Sequence, residues 1–298
     1  MRCGPSGPPR AERNDHVKIA VTGKGGVGKT TLAGTIARIL AADGYTVLAV
    51  DADPDANLAS ALGIDPDVAR GIVPIADMKE LIEERTGAKT GTMGGFFKIN
   101  PRVDDLPDEL SVPLDGIRLM VMGTVKEGAG GCICPESVVL RSLMRHLLLR
   151  RKEAVIMDME AGIEQLGRGT ASAVDAMIVV VEPGARSVRT ADAIKKLAGD
   201  IGIPRLFVVL NKVPASDLDE VLGLLSEYEV IGSLPYSDQV RRADLDEAAP
   251  FERAPEYVAA VRGVVDTILV RLEAGDDAAD GDPSVSDGSP VSGGGGAD

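Results

Sequence analysis

The sequence predicts a doubly wound α/β fold around a mainly parallel sheet, and three observations predict it. Short apolar runs alternate with helix-length amphipathic stretches along most of the 298 residues. The first apolar run leads straight into a glycine-rich loop and then a helical pattern. The core must also be aliphatic: Trp is absent, there are only four Tyr and four Phe, yet 44% of residues are hydrophobic. That composition suits a buried parallel sheet covered by helices better than an aromatic-rich β-sandwich.

The elements follow in order. Residues 17–22 (VKIAVT) read as the first strand, followed by the Gly-rich turn and a helix over 30–42. Residues 46–50 (TVLAV) read as a second buried strand. Further strands are expected at 116–122, 154–157, 176–181 and 206–210, each followed by polar residues or Gly. Helical patterns lie near 137–150, 187–199, 216–226 and 254–272. Right-handed crossovers then cover both faces of the sheet. Residues 63–115 are less regular and hold Pro66, Pro74, Pro101, Pro107 and Pro113; they read as an insertion on the rim, not a second domain. There is no internal repeat. Residues 1–16 and 274–298 have little to bury and are expected to be disordered, which leaves one folded domain over 17–273.

The net charge is -14; the last 25 residues hold -6 and the first sixteen +1, so the domain itself is about -9. An acidic domain argues against a general nucleic-acid binder, which needs basic surface for phosphates. Three Cys exclude a disulfide scaffold and fit a reducing compartment. No apolar run approaches the roughly 18 residues of a membrane span, and residues 1–16 lack the apolar stretch of a secretory signal. The expectation is a cytoplasmic protein without membrane or nucleic-acid contact.

The loop after the first strand is Gly23-Lys24-Gly25-Gly26-Val27-Gly28-Lys29-Thr30, followed by Thr31. It fits G-x-x-x-x-G-K-[ST] in the required setting, strand before and helix after. Glycines let backbone N–H groups curl around phosphates, and the helix N-terminus adds partial positive charge. Lys29 would reach the β/γ-phosphates and the Thr30 hydroxyl would hold Mg²⁺. ATP and Mg²⁺ are therefore the expected cofactors, in a P-loop NTPase.

Carboxylates cluster where strands end, the place where open α/β sheets bind ligands. Asp51 and Asp53 share a side of an extended segment, so one can act on the Mg²⁺ shell and the other can orient a water. Capping of a helix started by Pro54 is the competing role, and it suits Asp55 better. Residues 155–158 are an apolar strand ending in Asp158, which places that carboxylate on Mg²⁺ through water. Gly162 supplies a flexible N–H for a γ-phosphate. Asn211 and Lys212 follow the strand LFVVL.

Cys132 and Cys134 are two of three cysteines and lie one residue apart, next to the stretch GAGG. In a strand both thiols would face one way. Two thiolates cannot complete a tetrahedral site, but two chains related by a dyad would supply four. Such a site takes Zn²⁺, Ni²⁺, Cu(I) or an Fe–S cluster; otherwise the pair is two small buried apolar residues. Cys3, His16 and His146 are isolated.

KGGVGKTT is similar to the deviant Walker A loop of the family that contains MinD, ParA, the arsenite-pump ATPase and the nitrogenase iron protein. The resemblance implies that Lys24 reaches across a nucleotide-sandwich homodimer to the partner's phosphates. It implies that Asp53 positions the attacking water, that DMEAGIE is a switch, and that Asn211, beside Lys212, reads the adenine edge. Pro235, in SLPY, would pack around the base. With DADPDANLA, FFKINPRVDDLP, GAGGCICPE and NKV added, the chain resembles the CooC-type nickel-insertion ATPases from Lys18 to Leu272. That resemblance implies Ni²⁺ or Zn²⁺ at the cysteine pair, in the dimer interface, and carbon monoxide dehydrogenase as client. A MinD/ParA-type positioning switch and an iron-protein-like reductase are the rival readings. The apolar stripe of the last helix (Val261, Val264, Val265, Ile268, Leu269, Leu272) is expected to pack on the core, not on a membrane.

Overall fold

The computed structural model describes residues 16–89, 97–124, 134–151, 153–161, 166, 171 and 173–279. Disorder is expected for 1–16 and 274–298; of these, 1–15 and 280–298 lie outside the described residues, as do Cys132 and Gly162, and 274–279 are helical.

Eight strands form one sheet: β1 (Lys18–Gly23), β2 (Val47–Ala52), β3 (Val112–Leu114), β4 (Ile117–Val121), β5 (Ala154–Met159), β6 (Ala176–Val181), β7 (Leu206–Asn211) and β8 (Glu229–Leu234). Their order is β3-β4-β2-β5-β1-β6-β7-β8. All pair in parallel except β3, which runs antiparallel to β4. The helices are α1 (Lys29–Ala42), α2 (Leu58–Leu62), α3 (Pro66–Arg70), α4 (Lys79–Thr86), α5 (Leu106–Leu110), α6 (Pro135–Arg150), α7 (Ala185–Ile201), α8 (Leu218–Leu224), α9 (Asp238–Leu245), α10 (Pro250–Arg253) and α11 (Pro255–Ala279).

The pleat sends alternate residues of β1 to opposite cores. Ile19 and Val21 pack with Leu32 and Ile36 of α1 and with Val261 and Val264 of α11. Ala20 packs on the other side, with Val139 and Leu143 of α6 and Ile194 of α7. Continuous apolar runs are the signature of strands covered on both faces, and the six strands expected from such runs are all present.

The two strands not expected are edge strands. β8 is only half covered and carries Gly232, whose Cβ would come 2.5 Å from Val264 Cγ2; the missing side chain lets α11 pack close. β3 has three residues, one of them Pro113, which an edge tolerates. Residues 63–115 are more than a rim insertion. Ile75, Ile82, Val103 and Leu106 are buried in the same core as α6, because that face would otherwise lie open beside β4. Their prolines start helices: Pro66 opens α3 and Pro107 sits in the first turn of α5.

In α11, Val261, Val264, Val265 and Ile268 are buried against the sheet. The helix continues to Ala279, past the expected boundary at 273. Among the described residues, no helix is long and apolar enough to cross a membrane.

Candidate active site

β1 ends at the centre of the sheet, between β5 and β6. Gly23 turns the chain out with φ +149°, where a Cβ would come 2.6 Å from Val180 O. The loop then curls, with the Val27 N–H only 3.4 Å from Lys24 O, and Gly28 starts α1 at φ +96°. A Cβ on Gly28 would lie 2.4 Å from Asn211 Nδ2, so no other residue fits. No side chain caps α1, which leaves its first N–H groups for an anion.

Three carboxylates converge beneath the loop. Lys29 is buried, with Nζ 3.3 Å from Asp53 Oδ2. Thr30 Oγ1 donates to Asp158 Oδ2 at 2.5 Å. Asp158 Oδ1 is buried and has no protein partner among the described residues. Burial pushes the Asp158 carboxyl up to about 6, against the opposing pull of the Thr30 hydroxyl and Lys29. Asp51 lies opposite Asp158 in the β2–β5 register and is fully buried. Its oxygens accept the N–H groups of Asp53 (3.2 Å) and Leu58 (2.9 Å), and burial pushes it up to about 7. Asp51 thus shapes the turn into α2, which starts at Leu58 and not at Pro54. Asp53 Oδ1 in turn accepts Asp55 N–H at 3.0 Å.

The opposite wall comes from β7. Asn211 Nδ2 donates to Val27 O and Lys212 Nζ to Gly26 O, each at 2.7 Å. The cleft between these walls has a volume of about 810 Å³. Loop residues 24–31 line it except the buried Val27, and Asp53, Asn211, Lys212 and Pro235 close it. Lys24 makes no ion pair among the described residues, in contrast to Lys29 and Lys212. Lining residues without a local signature include Ser60 and Ala61 of α2, Thr190 of α7, Val240 and Asp244 of α9, and Tyr257 of α11. They are ordinary helix residues; those of α9 and α11 are brought in because α11 packs on α1 and because α10, against which α9 lies, packs on α1 and α2.

Cys134 lies elsewhere, as the N-cap of α6. Its backbone is extended (φ -101°, ψ 158°), its Sγ accepts from Ser137 N–H at 3.4 Å, and Ser137 Oγ donates to Cys134 O at 2.9 Å. The thiol is free and half-buried. No group of three or more His, Cys, Asp or Glu placed to hold a metal ion occurs among the described residues.

Residues 18–251 match the family model of the CobQ/CobB/MinD/ParA nucleotide binding domain. Over 257 residues the chain is 44% identical to the carbon monoxide dehydrogenase accessory protein CooC of Rhodospirillum rubrum, covering 86% of this chain and 97% of that one. It is 49% identical over 231 residues to an uncharacterized ATP-binding protein of Methanocaldococcus jannaschii, covering 76% and 88%. Similar solved folds include a ParA family ATPase from Chlorobium tepidum (TM-score 0.60, 18% identity, 86% of this chain and 98% of that one). MinD of Aquifex aeolicus gives a TM-score of 0.59 at 21% identity, over 87% and 98%. At these identities the two structures show the fold. With the strand order, the loop and the extent of the CooC match together, the chain belongs to the CobQ/CobB/MinD/ParA nucleotide-binding family, as an ATPase homologous to CooC.

Proposed function

We propose that this protein is an ATP-driven metallochaperone that carries Ni²⁺, or Zn²⁺, as cargo and delivers it to a carbon monoxide dehydrogenase. The observation that carries this reading is the 44% identity to CooC over nearly all of that protein. In this reading Lys29 and the amides of 25–31 bind the phosphates, Lys24 serves the partner's nucleotide, and Asp53 orients the attacking water. Lys24 makes no ion pair among the described residues, which leaves its ammonium for that role. Asn211 keeps one amide hydrogen and its Oδ1 for an adenine edge after its bond to Val27 O. Pro235 packs against the base, and Gly162 offers its N–H to the γ-phosphate.

Mg²⁺ fits the residues present. The Thr30 hydroxyl and the Asp158 carboxylate already meet, and the second Asp158 oxygen is buried without a partner. Thr30 and Asp158 would hold the ion, which would supply positive charge beside the phosphates. Asp51 supports this shell from behind by fixing the turn that carries Asp53.

The cargo site is assigned to Cys132 and Cys134 of two chains, giving four thiolates across a two-fold axis. The free Cys134 thiol, half-buried at the start of a 16-residue helix, supports it. Titration with Ni²⁺, followed by charge-transfer absorbance and light scattering, tests the reading. Absorbance should saturate near half an equivalent per chain, with dimer formation in step. One Ni²⁺ bound per monomer would overturn the interface site.

A further inference from the structure

Lys212 has φ +59°, a conformation that residues other than Gly rarely adopt. Its backbone N–H is fixed to Leu234 O of β8 at 2.8 Å. Its ammonium donates to Gly26 O at 2.7 Å and lies 3.9 Å from Glu182 Oε2, just past the end of β6. Its neighbour Asn211 holds the next carbonyl, Val27 O, also at 2.7 Å. Two successive loop carbonyls are thus tied to the end of β7.

These ties decide where the loop amides point. In a planar trans peptide the C=O and the following N–H point in opposite directions. Holding the carbonyls of Gly26 and Val27 against β7 therefore turns the N–H groups of Val27 and Gly28 into the curl. Apart from the 3.4 Å contact of Val27 N–H with Lys24 O, the loop has little else to hold it there: no atom lies within 4 Å of where a Cβ would stand on Gly25 or Gly26. A glycine loop without packing has the largest conformational freedom to lose when a ligand arrives.

We propose that Lys212, aimed by Glu182, is a positioning residue that clamps the Gly26 carbonyl, so that the loop meets the nucleotide's phosphates with its amides already turned inward. It does not touch base or ribose. This goes beyond the ATP-site reading of Proposed function and rests on it. The strained backbone of Lys212 is the conformation that brings its ammonium back over the loop, and three separate contacts maintain it.

The test compares ligands with and without phosphates. Isothermal titration of ADP, ATP and adenosine is run on the wild-type protein, Lys212→Asn, Lys212→Arg and Glu182→Gln. Asn tolerates the left-handed backbone, so its effect reports the lost clamp and not strain. Lys212→Asn should weaken ADP and ATP about tenfold, the size of one charge-assisted hydrogen bond, while adenosine affinity stays unchanged. Lys212→Arg should recover most of the loss. Glu182→Gln should weaken ADP about twofold with the same indifference to adenosine, and carries the comparison alone if Lys212→Asn does not fold. Adenosine weakening in step with ADP would overturn the clamp by placing Lys212 on the base or ribose. Unchanged ADP affinity in Lys212→Asn and Glu182→Gln would overturn it as well. A wild-type protein that binds neither ADP nor ATP would remove the ATP site itself, and the clamp with it.

Discussion

The first turns of α1 and α6 present opposite solutions at a helix N-terminus. At α1 no side chain caps the helix, and the groups around it are tied to one another: Lys29 to Asp53, Thr30 to Asp158, Asn211 to Val27. At α6 the helix is capped by its own Cys134, and among the described residues no metal-ligand cluster forms around that thiol. The phosphate cleft is lined by one chain, where the loop, the strand ends and the packed helices of a single sheet meet. A soft-metal site wants four ligands, and a two-residue sequence motif cannot supply them. The difference teaches that one chain by itself lines the phosphate cleft, whereas the proposed metal site needs two.

The largest expected effect would break the α1 side of that contrast. Lys29→Ala removes the proposed phosphate contact and leaves Asp53 without its buried counter-charge. ATP turnover, followed by phosphate release, should fall by about two orders of magnitude or more, with ADP affinity falling alongside. Near-normal ADP affinity would mean that Lys29 holds no phosphate.

A middle-sized effect sharpens the α6 side. Cys134→Ser keeps an oxygen to accept the Ser137 N–H, whereas Cys134→Ala removes the cap. Thermal unfolding should show Cys134→Ser close to wild type and Cys134→Ala lower by about 1 kcal/mol. Both should lose tight Ni²⁺ binding and keep wild-type ADP affinity. Ni²⁺ affinity that survives in both variants would detach the metal from this helix start.

The smallest effect belongs to neither site and serves as a control. Asp108 accepts from Arg151, at 3.0 Å, and from Arg118, and these guanidinium groups hold its carboxyl down to about 2. A depressed folded-state value contributes stability above the ordinary carboxylate range, and that contribution is lost as pH falls toward 2. Asp108 is largely exposed, so the gain is small. Arg151→Met should lower the Tm slightly at pH 7 and narrow the gap to wild type as pH falls toward 2. A gap that does not change with pH would assign the effect to the Arg151 side chain's packing instead.

Much of this could be read from residue order alone. The buried strands announced themselves because a parallel strand covered on both faces must be apolar throughout; β6 matches its AMIVVV run residue for residue. The loop was equally plain, since its glycines are required at set intervals for phosphate approach. β8 was not, because an edge strand is half polar and its Gly232 reads as a turn residue. The burial of Ile75, Ile82 and Leu106 was hidden by prolines that look like loop punctuation but start helices.

By itself the sequence determined the doubly wound sheet, the phosphate loop and the carboxylates at its rim, because these depend on local periodicity and on spacing within one segment. Tertiary structure alone decided what those groups touch. Asp51 and Asp53 are two residues apart, yet one faces backbone amides and the other the loop lysine. Asn211 and Lys212 reach Val27 and Gly26 across more than 180 residues of chain, only because β6 separates β7 from β1 in the sheet. Contacts of that kind follow from strand order and register, which are set by burial of the whole core and leave no mark in any one stretch of residues.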